Sequence, residues 1–350
     1  MNFDIKTPNK ELIEQLQHKI DFKTKPIGSL GMLEQLAVKI GCIQNTLTPE
    51  LKQPTIMVFA GDHGIALDGV SPYPQEVTWQ MVANFMAGGA AINVFGRQNG
   101  IDIKIVDAGV NYDFDKEWNV IDAKIAHGTK SYLNGAAMTS EQFQLAIKRG
   151  ADLVEQAHKG GTNIIGFGEM GIANTSSAAV LLHLLADVDL KECVGRGTGW
   201  DDEGLKRKYE ILNSAVENYK GDSSIENIFA HFGGFEIVMI AGAMLKAAEL
   251  KMIIMVDGFI ITSALLAASK MNPEVLEYCI FTHKSNENGH KHMLAHLNAN
   301  AILDLGMRLG EGTGAAVAYP IIESAVNFLN QMASFEDAGV SNSDKVVNEG

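Results

Sequence analysis

Thr55-Ile56-Met57-Val58-Phe59-Ala60-Gly61-Asp62-His63-Gly64 is an apolar run that stops on glycine and aspartate. A short apolar run bounded by turn residues reads as a fully buried strand. Ile101–Val106, Asn163–Phe167 and Met252–Val256 repeat the pattern, and Glu192–Val194 and Tyr278–Phe281 are weaker versions of it. Longer helical stretches lie between them. Two of these, Val82–Phe95 and Ile237–Leu250, are apolar nearly all round, as helices packed on a sheet are. Strands alternating with helices imply βαβ units and a parallel sheet, so the fold class is α/β. Upstream, residues 10–43 read as helices interrupted by the turn Lys25-Pro26-Ile27-Gly28-Ser29-Leu30-Gly31. No fixed-period repeat or low-complexity segment is present, and the polar tail beyond Glu336 is expected to fray.

Each of the four main strands runs into a carboxylate beside glycine. The first is followed by Gly61-Asp62, the second by Asp107-Ala108-Gly109, the third by Gly168-Glu169-Met170-Gly171 and the fourth by Asp257-Gly258. Any one of these is an ordinary turn. Ligands of open parallel sheets bind at the carboxyl ends of the strands, so the four acidic groups are expected to converge on one rim. A fifth carboxylate sits among glycines in Arg308-Leu309-Gly310-Glu311-Gly312-Thr313-Gly314. Glycine lets a backbone pass close to a ligand. The following Ala315-Ala316-Val317-Ala318 reads as a helix start, whose amides favour an anion.

The 350 residues are 46% hydrophobic and 20% charged, ordinary globular material able to bury a sizeable core. Net charge is 28 − 42 = −14, without a long basic run, which argues against a nucleic-acid partner. The three cysteines, Cys42, Cys193 and Cys279, form no CxxC, so a disulfide framework and a cysteine zinc site are not expected. A reducing cytoplasm is the expected compartment. The N-terminus lacks a basic-then-apolar signal pattern, and no apolar run is long enough for a membrane span.

Three chemistries compete. A metal hydrolase would draw on Asp62, His63, Asp107, His127, Asp257, His283, His290 and His292, but no HExxH and no tight ligand spacing is present. A dinucleotide oxidoreductase suits the sheet, yet the first strand turns through a carboxylate where a pyrophosphate would sit. Gly195-Arg196-Gly197-Thr198-Gly199 reads better as a loop for a single phosphate, with Lys208 from the next helix. The third is transfer at a glycosidic bond. Carboxylates accept hydrogen bonds from ribose hydroxyls and stabilise oxocarbenium-like charge, and one more serves as general base. Glu311 and Glu169 fit those roles.

Seven segments then carry a resemblance. They are Lys25–Gly31, Ala60-Gly61-Asp62-His63-Gly64, Tyr73–Thr78, Gly168–Thr175, Gly233-Gly234-Phe235-Glu236, Asp257-Gly258-Phe259 and Met307–Ala315. In this order the chain resembles the nicotinate-nucleotide–dimethylbenzimidazole phosphoribosyltransferase family. The resemblance implies a Rossmann-like parallel sheet with flanking helices, residues 52–320, and a small helical domain built from both chain ends, residues 1–51 with 321–345. Residues 346–350 are left as a frayed tail. It implies transfer of the phosphoribosyl group of nicotinate mononucleotide to a benzimidazole nitrogen, with no cofactor and no metal. It makes Glu311 the general base and places Glu169 near the ribose and base. It puts Gly197, Thr198, Gly199 and Lys208 on the phosphate side, and Asp257, Ser285 and Gly312 in substrate-binding loops. It also implies a homodimer in which the Lys25–Gly31 turn enters the neighbouring subunit's pocket. Tyr73 and Met81 stand where some family members have serine and glutamine, which leaves the preferred base open among benzimidazoles, purines and phenolics. The alternative from a different class is a nucleotide or cobamide-precursor binding protein without turnover.

Overall fold

The computed structural model describes residues 1–197 and 199–341. Along the chain come helices α1 (Ile13–Asp21) and α2 (Met32–Gln44), then strand β1 (Thr55–Gly61), α3 (Val77–Met86) and α4 (Ala91–Gln98). Next are β2 (Asp102–Gly109), β3 (Ile121–Asp122), α5 (Ser140–Lys159), β4 (Ile164–Met170), α6 (Asn174–Ala186), α7 (Leu190–Cys193), α8 (Asp202–Asn218) and α9 (Ile225–Phe232). Then follow α10 (Phe235–Glu249), β5 (Ile253–Val256), α11 (Phe259–Met271), β6 (Cys279–Phe281), α12 (His290–His296) and α13 (Thr313–Gln331).

The sheet is six-stranded and parallel, in the order β3-β2-β1-β4-β5-β6. This is a doubly wound α/β arrangement, with the order reversing between β1 and β4. All seven residues of β1 are buried, because a central parallel strand is covered on both faces. Burying each Ile or Val in such a strand contributes roughly 1.5–3 kcal/mol.

Two local expectations are corrected. Glu192–Val194 is not a strand: Leu190–Cys193 is one turn of helix, with the Asp189 side chain accepting the Lys191 N–H at its start. Val82–Phe95 is not one helix. It breaks between α3 and α4, where Gly88 takes φ +76°, a left-handed value that ends a helix. The edge strand β3 was not anticipated, since two residues carry no periodicity.

α13 runs unbroken from Thr313 to Gln331, from the sheet to α2, so a boundary between residues 320 and 321 would fall inside it. Pro320 lies within it and has no N–H for the Ala316 carbonyl. Asn99 fills that vacancy, its Nδ2 donating to Ala316 O at 2.8 Å. Farther along, Leu329 packs with Leu16, Ile20, Ala37 and Cys42 in an apolar cluster separate from the main core. The segments flanking α1 and α13 are also joined, Thr24 N–H to Ala333 O and Phe335 N–H to Phe22 O. The expected frayed tail, 346–350, and residues 342–345 lie outside the described residues.

α5 and α10 cross closely because each offers a glycine. A Cβ on Gly150 would stand 1.9 Å from Met239 O, and one on Gly242 would stand 2.2 Å from Ile147 O. Both obstacles are backbone and cannot swing aside. Gly150→Ala is therefore expected to destabilise the fold by about 1–3 kcal/mol, read as a lower melting temperature. An unchanged melting temperature would contradict the close crossing.

Candidate active site

The carboxyl ends of β4 and β5 open into a cleft of about 430 Å³. Its walls include Glu169, Asp257, Glu311, Gly197, Ser285, Tyr73 and Met81, so seven of the residues singled out from sequence share one cavity. A second depression of about 440 Å³ lies at the opposite, amino ends of the strands, lined by Gln53, Thr55, Gly100 and Asp102. Volume does not separate the two. Only the first gathers several buried carboxylates, as a binding site with convergent polar groups does.

The cleft is built around an unusual turn. Gly310, Glu311 and Gly312 have φ of +88°, +64° and +83°, three left-handed residues in succession. A non-glycine residue there costs about 1–2 kcal/mol, so the surrounding structure must hold Glu311 in place. Glu169, at the end of β4, accepts the Glu311 backbone N–H and is also bonded by the Asn174 Nδ2 group. Asp257, after β5, accepts Gly312 N–H on Oδ2 at 3.1 Å and Ala315 N–H on Oδ1 at 3.2 Å. His283 Nε2 stands 3.3 Å from the same Oδ1. There is no space for side chains around the turn: a Cβ on Gly310 would be 2.1 Å from Glu169 Oε1, and one on Gly168 would be 2.3 Å from Glu311 O.

Glu311 itself is 5% exposed, and its Oε2 has no protein partner. Burial pushes its pKa up to about 7, opposed by the Ile92 backbone N–H and reinforced by the Asp257 charge. Burial likewise raises Glu169 to about 8, against the Asn174 bond and with help from Glu236 and Asp257. A carboxylate poised near neutrality can take a proton and release it again.

Two basic groups, Lys208 and Arg308, meet at the Gly197 turn, with the Glu287 carboxyl beside them. Lys208, from α8, is 1% exposed; its Nζ donates to Thr175 Oγ1 at 2.9 Å and to Gly195 O at 3.3 Å. Burial lowers its pKa to about 8, with Glu287 pulling the other way. It lies behind the cleft wall, beneath the turn at Gly197, where φ is +55°. Arg308 Nη1 donates to Gly197 O at 2.8 Å and ties this turn to the Glu311 loop. Gly199 belongs to the same turn without lining the cleft, Gly312 serves through its N–H to Asp257, and Thr198 lies outside the described residues. Ser285 lines the wall; its backbone N–H donates to His290 Nδ1 at 2.7 Å and its Oγ accepts the Glu287 N–H at 3.3 Å. Tyr73, 49% exposed, stands at the mouth, with Val77 and Met81 further along the same wall.

Two of the expected rim carboxylates do not arrive. Asp62 accepts the Asn111 N–H at 2.8 Å, and Asp107 pairs with Lys124 at 2.9 Å while accepting the Val110 N–H. They staple the loops after β1 and β2 and leave the cleft to β4 and β5. His63 is fully buried, set between Ser177 Oγ at 3.1 Å and Glu236 Oε1 at 2.5 Å, so it bonds far beyond its own turn. Among the described residues no three His, Cys, Asp or Glu side chains are grouped to hold a metal ion. Sequence reasoning passed over Asn174, Thr175, Glu287 and Arg308. All four lie within, or two residues from, positions it had already marked, and their direction was the missing signal.

The phosphoribosyltransferase family profile matches residues 5–340. A relative from Dechloromonas aromatica strain RCB, named nicotinate-nucleotide–dimethylbenzimidazole phosphoribosyltransferase, is 56% identical over 343 residues, covering 97% of this chain and 99% of its own. A Phocaeicola vulgatus relative of the same name is 50% identical over 340 residues, with 97% and 99% covered. The crystal structure of CobT from Thermus thermophilus superposes with a TM-score of 0.91 at 38% identity, over 95% of this chain and 100% of that one. Sequence, fold and cleft thus agree that the chain belongs to the nicotinate-nucleotide–dimethylbenzimidazole phosphoribosyltransferase family.

Proposed function

We propose that the cleft transfers the phosphoribosyl group of nicotinate mononucleotide to 5,6-dimethylbenzimidazole or a related base, releasing nicotinate and α-ribazole 5′-phosphate for cobalamin nucleotide-loop assembly. The observation that carries this reading is Glu311, a buried carboxylate with one unpartnered oxygen, held on a left-handed turn in a cleft that has a buried lysine behind its Gly197 wall. The phosphate lies against Gly197, Gly199 and Lys208, as the buried ammonium beneath this turn supports. The lone-pair nitrogen of the base attacks C1′ with inversion. The C1′–N bond to the pyridinium breaks and its electron pair returns to that ring, so the leaving group departs as neutralised pyridine. The proton on the other ring nitrogen of the base passes to Glu311. Positioning supplies much of the remaining rate, since both reactants are held in one site. Glu169 is placed near the ribose and base, and Tyr73 and Met81 shape the base end. No resident cofactor or metal is needed to balance this step.

Residues 52–320 form the catalytic body in this reading, and residues 1–51 with 321–345 the small helical lobe, as the apolar cluster around Leu329 supports. The chain works as a homodimer with the Lys25–Gly31 turn entering the partner's pocket; Ile27 on that turn is 77% exposed, an apolar side chain without cover in the single chain. The compartment is the cytoplasm, as three free buried cysteines support. No helix among the described residues is long and apolar enough to cross a membrane.

Glu311→Gln is expected to keep the melting temperature and to lose about 10²–10⁴-fold in kcat, followed as nicotinate release by chromatography. Near-normal turnover would remove the base role, and nucleotide binding without any nicotinate release by the unaltered protein would favour a binding protein. The pH profile has a stated shape. Glu311, raised to about 7, must be unprotonated to act, so kcat/KM rises as pH increases through about 7. Lys208, lowered to about 8, must stay protonated to hold phosphate, so kcat/KM falls above about 8. A flat profile between pH 6 and 9 would contradict both assignments. Lys208→Ala is expected to raise KM for the nucleotide about 10- to 100-fold, the worth of a charge-assisted hydrogen bond. KM for the base should change less than about twofold, and equal effects on both substrates would count against a phosphate role.

A further inference from the structure

We propose that Asp257, together with His283, is a positioning residue that acts through the Glu311 loop and not a ligand for substrate. The inference rests on the base role given to Glu311 above. Asp257 is 1% exposed and both its oxygens are committed: Oδ2 to Gly312 N–H, Oδ1 to Ala315 N–H and to His283. A carboxylate has about four lone-pair sites, so at most one remains for anything else. The two amides are no arbitrary pair. Gly312 is the N-cap of α13 and Ala315 its third residue, so one carboxylate closes the first turn of the helix that Glu311 immediately precedes.

His283 supplies the matching partner, its Nε2 facing Asp257 Oδ1. Its ring is buried, and its pKa is raised: burial lowers it, but the bond to Asp257 and the Asp257 charge outweigh that. The ring is wedged between two backbones. A Cβ on Gly314 would lie 1.9 Å from His283 Cδ2, and one on Gly258 would lie 3.0 Å from Nε2. The imidazole therefore fixes the distance between the strand end that carries Asp257 and the helix start that follows Glu311. Glu169 holds the same loop from the other side through the Glu311 N–H. Two neighbouring strands thus grip consecutive amides, and the only side chain between them is the proposed base.

Asparagine at 257 keeps the shape but replaces one acceptor by an NH2 facing a backbone N–H. A misplacement of about 1 Å in an active site costs about 10²-fold. Asp257→Asn is therefore expected to lower kcat about 30- to 100-fold while KM for nicotinate mononucleotide and for the base stays within about threefold. In a Glu311→Gln background the same change should cost less than about threefold, because groups that act as a unit are not additive. A tenfold rise in nucleotide KM with kcat preserved would make Asp257 a ligand. Full loss in the Glu311→Gln background would make it a general structural residue. Either result overturns the proposal. If Asp257→Asn does not fold, His283→Gln takes its place, with a smaller kcat loss of about 5- to 20-fold that also vanishes in the Glu311→Gln background. Should the unaltered protein release no nicotinate, the functional reading fails separately, and hydrogen exchange decides the positioning claim. Amides of residues 310–315 should exchange at least about tenfold faster in Asp257→Asn or His283→Gln than in the unaltered protein. Unchanged exchange would overturn it.

Discussion

Gly310, Glu311 and Gly312 turn the backbone left-handed three times in a row, and amides of this turn are held by carboxylates from the ends of β4 and β5. Much of the site follows from that grip. The turn needs glycine on both sides of Glu311 because Glu169 at Gly310 and Ile56 at Gly312 stand where a Cβ would go, and φ is left-handed at both. It needs two parallel strands ending side by side, which the neighbouring pair β4 and β5 provides. It also needs a helix beginning at once, so that the loop amides are fixed as the first turn of α13. The strain of one non-glycine residue at φ +64° is thereby offset by several buried hydrogen bonds.

Carboxylates cluster where a base nitrogen would give up its proton, and Lys208 with Arg308 stands at the Gly197 turn. Burial pushes Glu311 to about 7 and Lys208 to about 8, so one is ready to accept a proton while the other still carries one. The same desolvation that brings both groups toward neutrality also strengthens their interaction with a bound molecule. The apolar walls at Val77, Met81 and Ile172 therefore contribute to the chemistry as well as to shape.

Much of this was legible in the residues. The four main strand candidates and the βαβ alternation give the parallel sheet, and Glu169, Asp257 and Glu311 were marked by their glycine neighbours. The family resemblance rested on segments that the structure brings to the cleft, such as Gly168–Thr175 and Met307–Ala315. What sequence did not reveal is direction. Asp62 and Asp107 carry the same local signal as Glu169, yet Asn111 N–H and Lys124 claim them. Only the spatial strand order separates the two pairs, and that order is a non-local property. Glu192–Val194 failed because three residues cannot establish a period, and Asp189 caps them as a helix. The partnership of Asn99 with Pro320's orphaned carbonyl at Ala316 spans 217 residues and no local rule finds it.

The central claim is that the Glu311 carboxylate is where the base gives up its proton. A crystal structure with 5,6-dimethylbenzimidazole bound tests this most directly. A ring nitrogen is expected within about 2.6–3.2 Å of a Glu311 carboxylate oxygen, the reach of a general base, with the dimethyl edge against Val77 and Met81. A ring lodged elsewhere, with the Glu311 carboxylate facing no ligand, would contradict the account.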